Sequence, residues 1–236
     1  MRLPGLLWVV LLTAPGSANA QELKDSVFSL FVNSSIGFSH ANDPHINRWL
    51  KKYGYPGEPH TPASINFELA AIPVSRQLMM SLKVSAITSG NNLVSFNILG
   101  GLYKSIFRKR GWLLLAGLGA GYHNDIIELN GNMPQEYRDL SILYNRQLSL
   151  RRTGLFLEPA LRAFWYPLHL HSLQVGLFSS IGYDLDFNSR WRLGYFDNNS
   201  GRYNHFKKLR KPDDQQKVSE RGIAFNAGLS VRLDLQ

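Results

Sequence analysis

The stretch FNAGLSVRLDL, residues 225–235, decides the fold because its apolar and polar residues alternate without interruption. One set of alternate positions is apolar: Phe225, Ala227, Leu229, Val231, Leu233 and Leu235. The other set is small or polar: Asn226, Gly228, Ser230, Arg232 and Asp234. Successive side chains of a β-strand point to opposite faces, whereas a helix would mix the two sets. The stretch is therefore predicted to be a strand with one apolar face.

The same alternation recurs in earlier parts of the chain. It covers residues 27–39, 63–74, 78–88, 94–103, 111–122, 153–166 and 173–185. In the fifth of these segments Gly117, Gly119 and Gly121 share one face and larger residues the other, as a narrow barrel requires. Because the chain after Gln21 lacks the roughly 20 apolar residues of a transmembrane helix, a membrane-spanning protein would have to use strands.

The connections between these segments differ in length in an ordered way. Short links fall at 75–77, 108–110 and 167–171, and long ones at 40–62, 123–152 and 188–222, with 89–92 as a brief exception. Outer-membrane barrels have short periplasmic turns and longer outer loops. Aromatic residues are predicted to form an inner girdle of Phe107, Trp112, Phe164, Trp165 and Tyr166 and an outer girdle of Phe38, Tyr122, Tyr183 and Phe187.

The N-terminal segment has the pattern of a cleavable signal peptide. Arg2 precedes the apolar run Leu6 to Leu12, and Ala18, Asn19 and Ala20 give a small-x-small cleavage site. We therefore expect residues 1–20 to be the signal peptide and residues 21–236 one barrel domain. The formal net charge of +9 becomes +8 when Arg2 is removed, and the chain contains no cysteine, which excludes disulfides and thiolate metal sites.

Together, the signal peptide, the eight alternating strands, the aromatic edges and the terminal strand 225–235 resemble the small eight-stranded outer-membrane β-barrel families. The resemblance covers essentially the whole mature chain and rests on a pattern, since the chain ends in Gln236 where many such proteins end in an aromatic residue. The predicted fold class is all-β, an antiparallel eight-stranded transmembrane barrel in a bacterial outer membrane. A soluble β-sandwich or lipocalin-like barrel is the alternative, but its outward face should be polar.

If the polar faces point inward, seven charged residues lie in one narrow lumen: Glu68, Lys83, Glu158, Arg162, Asp184, Arg232 and Asp234. Four acids and three bases nearly cancel. Buried charges are costly unless they are paired. We therefore expect a structural charge network, with a small gated conduit as the alternative reading.

The last long connection is net basic. Its basic residues are Arg190, Arg192, Arg202, Lys207, Lys208, Arg210, Lys211, Lys217 and Arg221, against the acids Asp197, Asp213, Asp214 and Glu220. Such a segment could bind glycolipid phosphates, an extracellular polyanion, or an extracellular or envelope protein partner. An ordinary solvated loop is the competing reading, and nucleic acid is not expected outside the cell.

The sequence favours a non-enzymatic barrel that displays loops for envelope stabilisation or surface interaction, without a cofactor or metal. His40, His45 and His60 share the first long connection but lack a compact metal-ligand spacing. A lipid-modifying enzyme is the first alternative, with His123 and Asp125 expected just after the fifth strand, although no G-x-S-x-G elbow is present. A transport- or secretion-associated barrel is the second, by analogy of fold alone.

Overall fold

The computed structural model describes residues 28–39, 44–52, 62–73, 77–89, 93–109, 111–129, 148–197, 202–208 and 222–235. The predicted signal peptide, residues 1–20, lies outside these ranges. The described residues form one helix and nine strands in this order: β1 (Phe28–Ser39), α1 (Pro44–Lys52), β2 (Ala63–Pro73), β3 (Leu78–Ser89), β4 (Leu93–Lys109), β5 (Trp112–Glu128), β6 (Leu148–Leu170), β7 (Leu173–Asp197), β8 (Arg202–Lys208) and β9 (Gly222–Leu235).

Eight of these strands close into an antiparallel barrel. Each of β1 to β7 pairs with the next along the chain, β7 also pairs with β9, and β9 returns to β1. The closing ladder matches Phe28 with Leu235 at one end and Ser39 with Ala224 at the other. Both edges of every strand in the ring are thus hydrogen-bonded, the condition under which strands can cross a lipid layer. The predicted eight-stranded barrel is confirmed.

The alternating pattern sends apolar side chains outward and polar ones inward. Along β2 alternate residues from Ala63 to Leu69 are exposed, Ile65 reaching 71%, while the residues between them are buried. The exposed belt runs around the barrel: Ile36, Ile65, Leu69, Leu82, Val94, Ile98, Leu102, Leu118, Leu155, Leu161, Leu177, Ile181, Phe225 and Leu229. A soluble barrel would bury such residues or replace them, so this surface faces lipid.

The girdle prediction is only partly right. Trp112 and Trp165 lie outside and stack at 5.7 Å between ring centroids, and Phe107 is also exposed. Phe164 and Tyr166, in contrast, are buried inside the barrel. Both residues occupy even-numbered positions of β6, as Arg162 does, and therefore lie on the inward face of the strand. The alternation along the strand, and not closeness to the membrane edge, determines where these side chains point.

The two ends of the barrel differ. Tight turns join β4 to β5 and β6 to β7, and Gly111 adopts a φ of 82° in the first, where an added Cβ would lie 2.8 Å from the carbonyl oxygen of Tyr166. β6 and β7 are 23 and 25 residues long. The end of the barrel opposite these turns is called the long-strand end. A membrane-crossing strand needs only about 9–11 residues, so both strands continue beyond the lipid layer.

All three long connections predicted as loops contain regular structure at this long-strand end, and within the segment 123–152 β5 continues to Glu128 and β6 begins at Leu148. The helix α1 lies in the segment 40–62, and in the segment 188–222 β7 continues to Asp197 and pairs with β8. Among the described residues, no helix is long and apolar enough to span a membrane. The long-strand end is the outer one, because the short turns of such barrels face the periplasm.

Close approach of β4 and β5 explains the glycines of the fifth segment. A Cβ on Gly117 would collide with the carbonyl oxygen of Leu102 and lie 2.6 Å from the Cα of Tyr103. On Gly119 it would lie 2.7 Å from the side chain of Leu99. The missing side chains make room for the large inward residues of the neighbouring strand, as expected in a narrow, closely packed lumen.

Replacement of Gly117 by alanine should therefore destabilise the barrel by about 1–3 kcal/mol through overpacking. The matched control is Gly100→Ala, because a Cβ on outward-facing Gly100 meets only one atom, 4.0 Å away. Urea unfolding of both variants in lipid vesicles measures the difference. Equal stability of the two variants would contradict the proposed close approach.

Candidate functional site in the barrel interior

The charged layer at mid-barrel centres on Arg162 of β6. Its guanidinium forms an ion pair with Glu68 of β2, donates a hydrogen bond of 2.8 Å to the Tyr103 hydroxyl, and lies over the Tyr103 ring at 3.6 Å. The amide of Asn33 donates to Glu68 at 3.0 Å. Arg162 and Glu68 are 1% and 2% exposed, so their charges are withdrawn from water and depend on each other.

A second buried ion pair lies beside the first. The ammonium of Lys83 donates to both carboxylate oxygens of Glu158, at 3.0 and 3.1 Å. Lys83 stands directly opposite Glu68 in the β2–β3 ladder, which makes the two pairs neighbours. Asp184 of β7 is also buried and lines the same cavity as Lys83 and Glu158.

The two remaining lumen residues lie apart from this centre. Arg232 forms an ion pair of 2.8 Å with Asp234, and Asp234 accepts hydrogen bonds from Ser29 at 2.5 Å and Gln174 at 3.1 Å. Both sit on β9 near its C-terminal end, at the periplasmic mouth. The seven charged positions named from the sequence thus occupy two levels, five near mid-barrel and two at the inner opening.

An amide layer and a cavity lie outward of the mid-barrel charges. Asn66 donates to Asn226 at 2.9 Å, and Asn226 donates to Ser180 at 2.9 Å. The cavity beside them measures about 50 Å³ and is lined by residues from all eight strands of the ring. Its volume suits about three or four water molecules, each needing roughly 10–15 Å³.

A further polar cluster surrounds His123. This ring is fully buried, with Nδ1 3.1 Å from Asp125 and Nε2 3.2 Å from Asp186. Arg152 forms an ion pair of 2.8 Å with the same Asp125. The expectation that His123 and Asp125 follow the fifth strand is wrong, because β5 continues to Glu128 and holds both on its inward face. Asp186 and Arg152 complete the cluster and are not among the site residues that the sequence predicts. The alternation of His123, Asp125 and Ile127 does indicate that β5 continues past Tyr122.

This cluster does not have the geometry of a Ser-His-acid triad. In such a triad one ring nitrogen faces the acid and the other the nucleophile. Here both nitrogens of His123 face carboxylates, and Ser95 donates its hydroxyl hydrogen to Asp125. The arrangement joins buried polar side chains of β4, β5, β6 and β7.

Apolar layers close the lumen at both ends of the polar section. The inner apolar cluster consists of Phe31, Ala70, Ile72, Met79, Tyr103, Leu113, Leu115, Ala160, Phe164, Tyr166 and Phe178. The outer apolar cluster consists of Leu50, Leu93, Ile127, Leu129, Leu148, Leu150, Trp191 and Leu193. Leu50 comes from α1 and is 1% exposed, so the helix is anchored to the outer mouth by this side chain.

The basic residues of the last long connection are only partly within the described residues. Arg192 is exposed on β7, Arg190 also belongs to β7, and Arg202, Lys207 and Lys208 belong to β8. Arg210, Lys211, Lys217 and Arg221 lie outside the described residues. So do His40 and His60, while His45 belongs to α1. Within the described parts of the chain, no three His, Cys, Asp or Glu residues group as a metal site would require.

The closed ring and its lipid-facing belt define the protein as a transmembrane β-barrel of a bacterial outer membrane. No family model and no curated protein matches the chain. The chain is similar in structure to a major outer membrane protein from Thermus thermophilus, with a TM-score of 0.50, 13% identity, and coverage of 87% of this chain and 99% of that one. This likeness supports the fold alone. Neisserial surface protein A (NspA) matches with a TM-score of 0.47 and 8% identity over 89% of this chain and 98% of that one.

The pair Arg162–Glu68 can be tested by a double-mutant cycle. Arg162→Met should cost about 3–5 kcal/mol of unfolding free energy, because it leaves the buried Glu68 carboxylate without its cation. Adding Glu68→Gln should recover part of that loss, since the second change removes the stranded charge. Urea unfolding in vesicles measures the unfolding free energy of the unmodified protein, the two single variants and the double variant. Strictly additive losses of this free energy would show that the two side chains are not coupled.

Proposed function

We propose that the protein is a non-enzymatic outer-membrane barrel with a sealed interior, whose outer end serves envelope stabilisation or surface interaction. The observation that carries this proposal is the filling of the lumen at successive levels. The inner apolar cluster, the ion pairs of Arg162 and Lys83, and the outer apolar cluster follow one another along the axis. An eight-stranded barrel has space for packed side chains and little else.

The outer end consists of packed regular structure that extends beyond the membrane-spanning part of the barrel. The β6–β7 ladder continues from the Arg151–Arg192 pair up to Leu148 and Tyr195, and β8 extends the sheet alongside β7. Leu148, Leu150, Trp191 and Leu193 pack inside this extension. Because this packing already orders the extension, binding of a partner to it would cost less conformational entropy than binding of the same partner to a flexible loop. Its basic residues favour an anionic group or an acidic protein surface as that partner.

The alternatives find less support in the geometry. A lipid-modifying enzyme would need a nucleophile within reach of a base, and the nitrogens of His123 face Asp125 and Asp186. A transport- or secretion-associated barrel would need a path through two apolar clusters and two buried ion pairs. Opening such a path would expose Glu68 and Glu158 or break their pairing, at a cost of several kcal/mol.

Conductance and surface binding can be measured side by side. We expect the refolded protein to show no steady single-channel conductance in planar bilayers, because packed side chains block the lumen. In cells, the surface phenotype is measured as adhesion and as resistance to detergent. Replacement of residues 198–221 by a short Gly-Ser linker should abolish both. The control is Lys104→Gln, which changes an exposed charge at the periplasmic end.

Two results would contradict the proposal. Stable ion conductance of the unmodified protein would show that the lumen is open and favour transport. An unchanged surface phenotype after the replacement, together with altered solute uptake by the cells, would show that the outer end is not the functional part.

A further inference from the structure

A bulge near the periplasmic end of β4 turns Arg108 into the barrel. Up to Lys104 the even-numbered residues of this strand face outward. The register shifts between Ser105 and Phe107, so that Phe107 is exposed and Arg108 pairs with Leu113, which is buried in the inner apolar cluster. Bulges of this kind redirect side chains. Without the extra residue, Arg108 would point away from the lumen, as Lys104 does.

The side chain of Arg108 extends over the periplasmic opening of the barrel. The strands β4 and β9 are four strands apart in either direction around the ring, so they form opposite walls. Arg232 and Asp234 of β9 are nevertheless close enough to act electrostatically on the Arg108 guanidinium group. This group is partly buried and has lost part of its hydration. Arg108 therefore holds a positive charge at the opening, where water only partly surrounds it.

Arg108 is not part of the ion pair that lies at this opening. The carboxylate of Asp234 is bound by Arg232 at 2.8 Å, by Ser29 at 2.5 Å and by Gln174 at 3.1 Å. Within the described part of the chain, no ion pair or side-chain hydrogen bond joins Arg108 to another residue. A partly desolvated guanidinium group beside a second arginine is stabilised by an added anion.

The charges around the opening favour a singly charged anion that enters from the periplasm. The charged residues described near it are four bases and one acid: Lys104, Arg108, Lys109, Arg232 and Asp234. The turn residues 74–77, 110–111 and 171–172 include no Asp or Glu in the sequence. Because Arg108 faces the lumen and not the lipid, a phospholipid headgroup beside the barrel does not fit this position. Asp234 would repel a doubly charged phosphate more strongly than a carboxylate.

We propose that Arg108 binds the carboxylate of a periplasmic peptide at the inner opening of the barrel. A carboxylate accepts two parallel hydrogen bonds from a guanidinium group, a geometry that lysine does not provide. Leu113, the register partner of Arg108, belongs to the inner apolar cluster, and surroundings of low polarity strengthen such a pairing. The site lies at the end opposite to the surface proposed for partner binding and does not depend on it.

The test is a titration, followed by nuclear magnetic resonance, of the isotope-labelled, refolded protein in zwitterionic detergent with N-acetyl-dialanine. Displacement of the Leu113 backbone N–H resonance gives an apparent affinity for this peptide. Arg108→Gln should bind about tenfold more weakly, because it loses charge-assisted hydrogen bonds, and a tenfold change corresponds to about 1.4 kcal/mol. Arg108→Lys retains the charge without the paired geometry and should fall between the two. The matched control Lys104→Gln removes a charge from the outward face of the same strand and should bind as the unmodified protein does.

Two further ligands identify the chemistry that is recognised. N-acetyl-dialanine amide, which lacks the carboxylate, should cause no displacement, and inorganic phosphate should bind more weakly than the peptide. Equal displacement by the amide, tighter binding of phosphate, or equal affinities of Arg108→Gln and Lys104→Gln would each overturn the proposal. If Arg108→Gln fails to refold, the comparison of Arg108→Lys with Lys104→Gln decides the same point.

A stability measurement separates binding from a structural role of Arg108. Without peptide, Arg108→Gln should unfold at the same urea concentration as the unmodified protein or at a higher one, because the change removes a cation beside Arg232. A clearly lower midpoint would assign Arg108 a structural role and contradict the proposal.

A final variant examines whether this chain itself supplies the anion. The segment 21–27, which precedes β1 in the sequence, contains Glu22 and Asp25. The variant Glu22→Gln/Asp25→Asn should leave the affinity for N-acetyl-dialanine unchanged. A gain in affinity would show that this segment, and not a separate peptide, occupies Arg108, and would overturn the proposal.

Discussion

The requirement that every backbone N–H and C=O be hydrogen-bonded in a lipid environment governs the rest of this structure. The β1–β9 ladder, from the Phe28–Leu235 pair to the Ser39–Ala224 pair, removes the last open edges of the eight-stranded ring. Closure at eight strands then determines the width of the interior. Inward positions have to fill that width without gaps, and outward positions have to be apolar over the height of the membrane.

The interior meets this constraint by alternating apolar and polar layers. The absence of side chains at Gly117 and Gly119 of β5 leaves space for Tyr103 and Leu99 of β4. The Tyr103 hydroxyl in turn accepts a hydrogen bond from Arg162. The two buried ion pairs at mid-barrel, Arg162–Glu68 and Lys83–Glu158, each join residues of different strands, so they depend on barrel closure. The two apolar clusters lie on either side of these polar layers, and surroundings of low polarity strengthen ion pairs and raise the cost of breaking them.

Much of the fold could be predicted from residue alternation, because a period of two is imposed by strand geometry alone. The inward direction of Glu68 and Arg162 belongs to this part. Their pairing does not, since it depends on the register of strands far apart in sequence. The outer end of β5 is not predicted from alternation, because Asn124 ends the apolar outward pattern while β5 continues to Glu128, beyond the membrane. The helix α1 and the strand β8 are short and basic, so their sequences show little periodicity. Such elements are ordered by packing, for example of Leu50 into the outer apolar cluster.

The central claim is that the chain forms a closed barrel in a lipid environment, and heat-dependent gel migration tests it most directly. The chain from Gln21 would be refolded in detergent and run on a denaturing gel with and without boiling, with circular dichroism recorded on the same sample. A closed barrel should resist the gel detergent, migrate differently until boiled, and give a β-type spectrum. Identical migration of boiled and unboiled samples, together with solubility in plain buffer, would contradict the account and indicate a soluble β-protein.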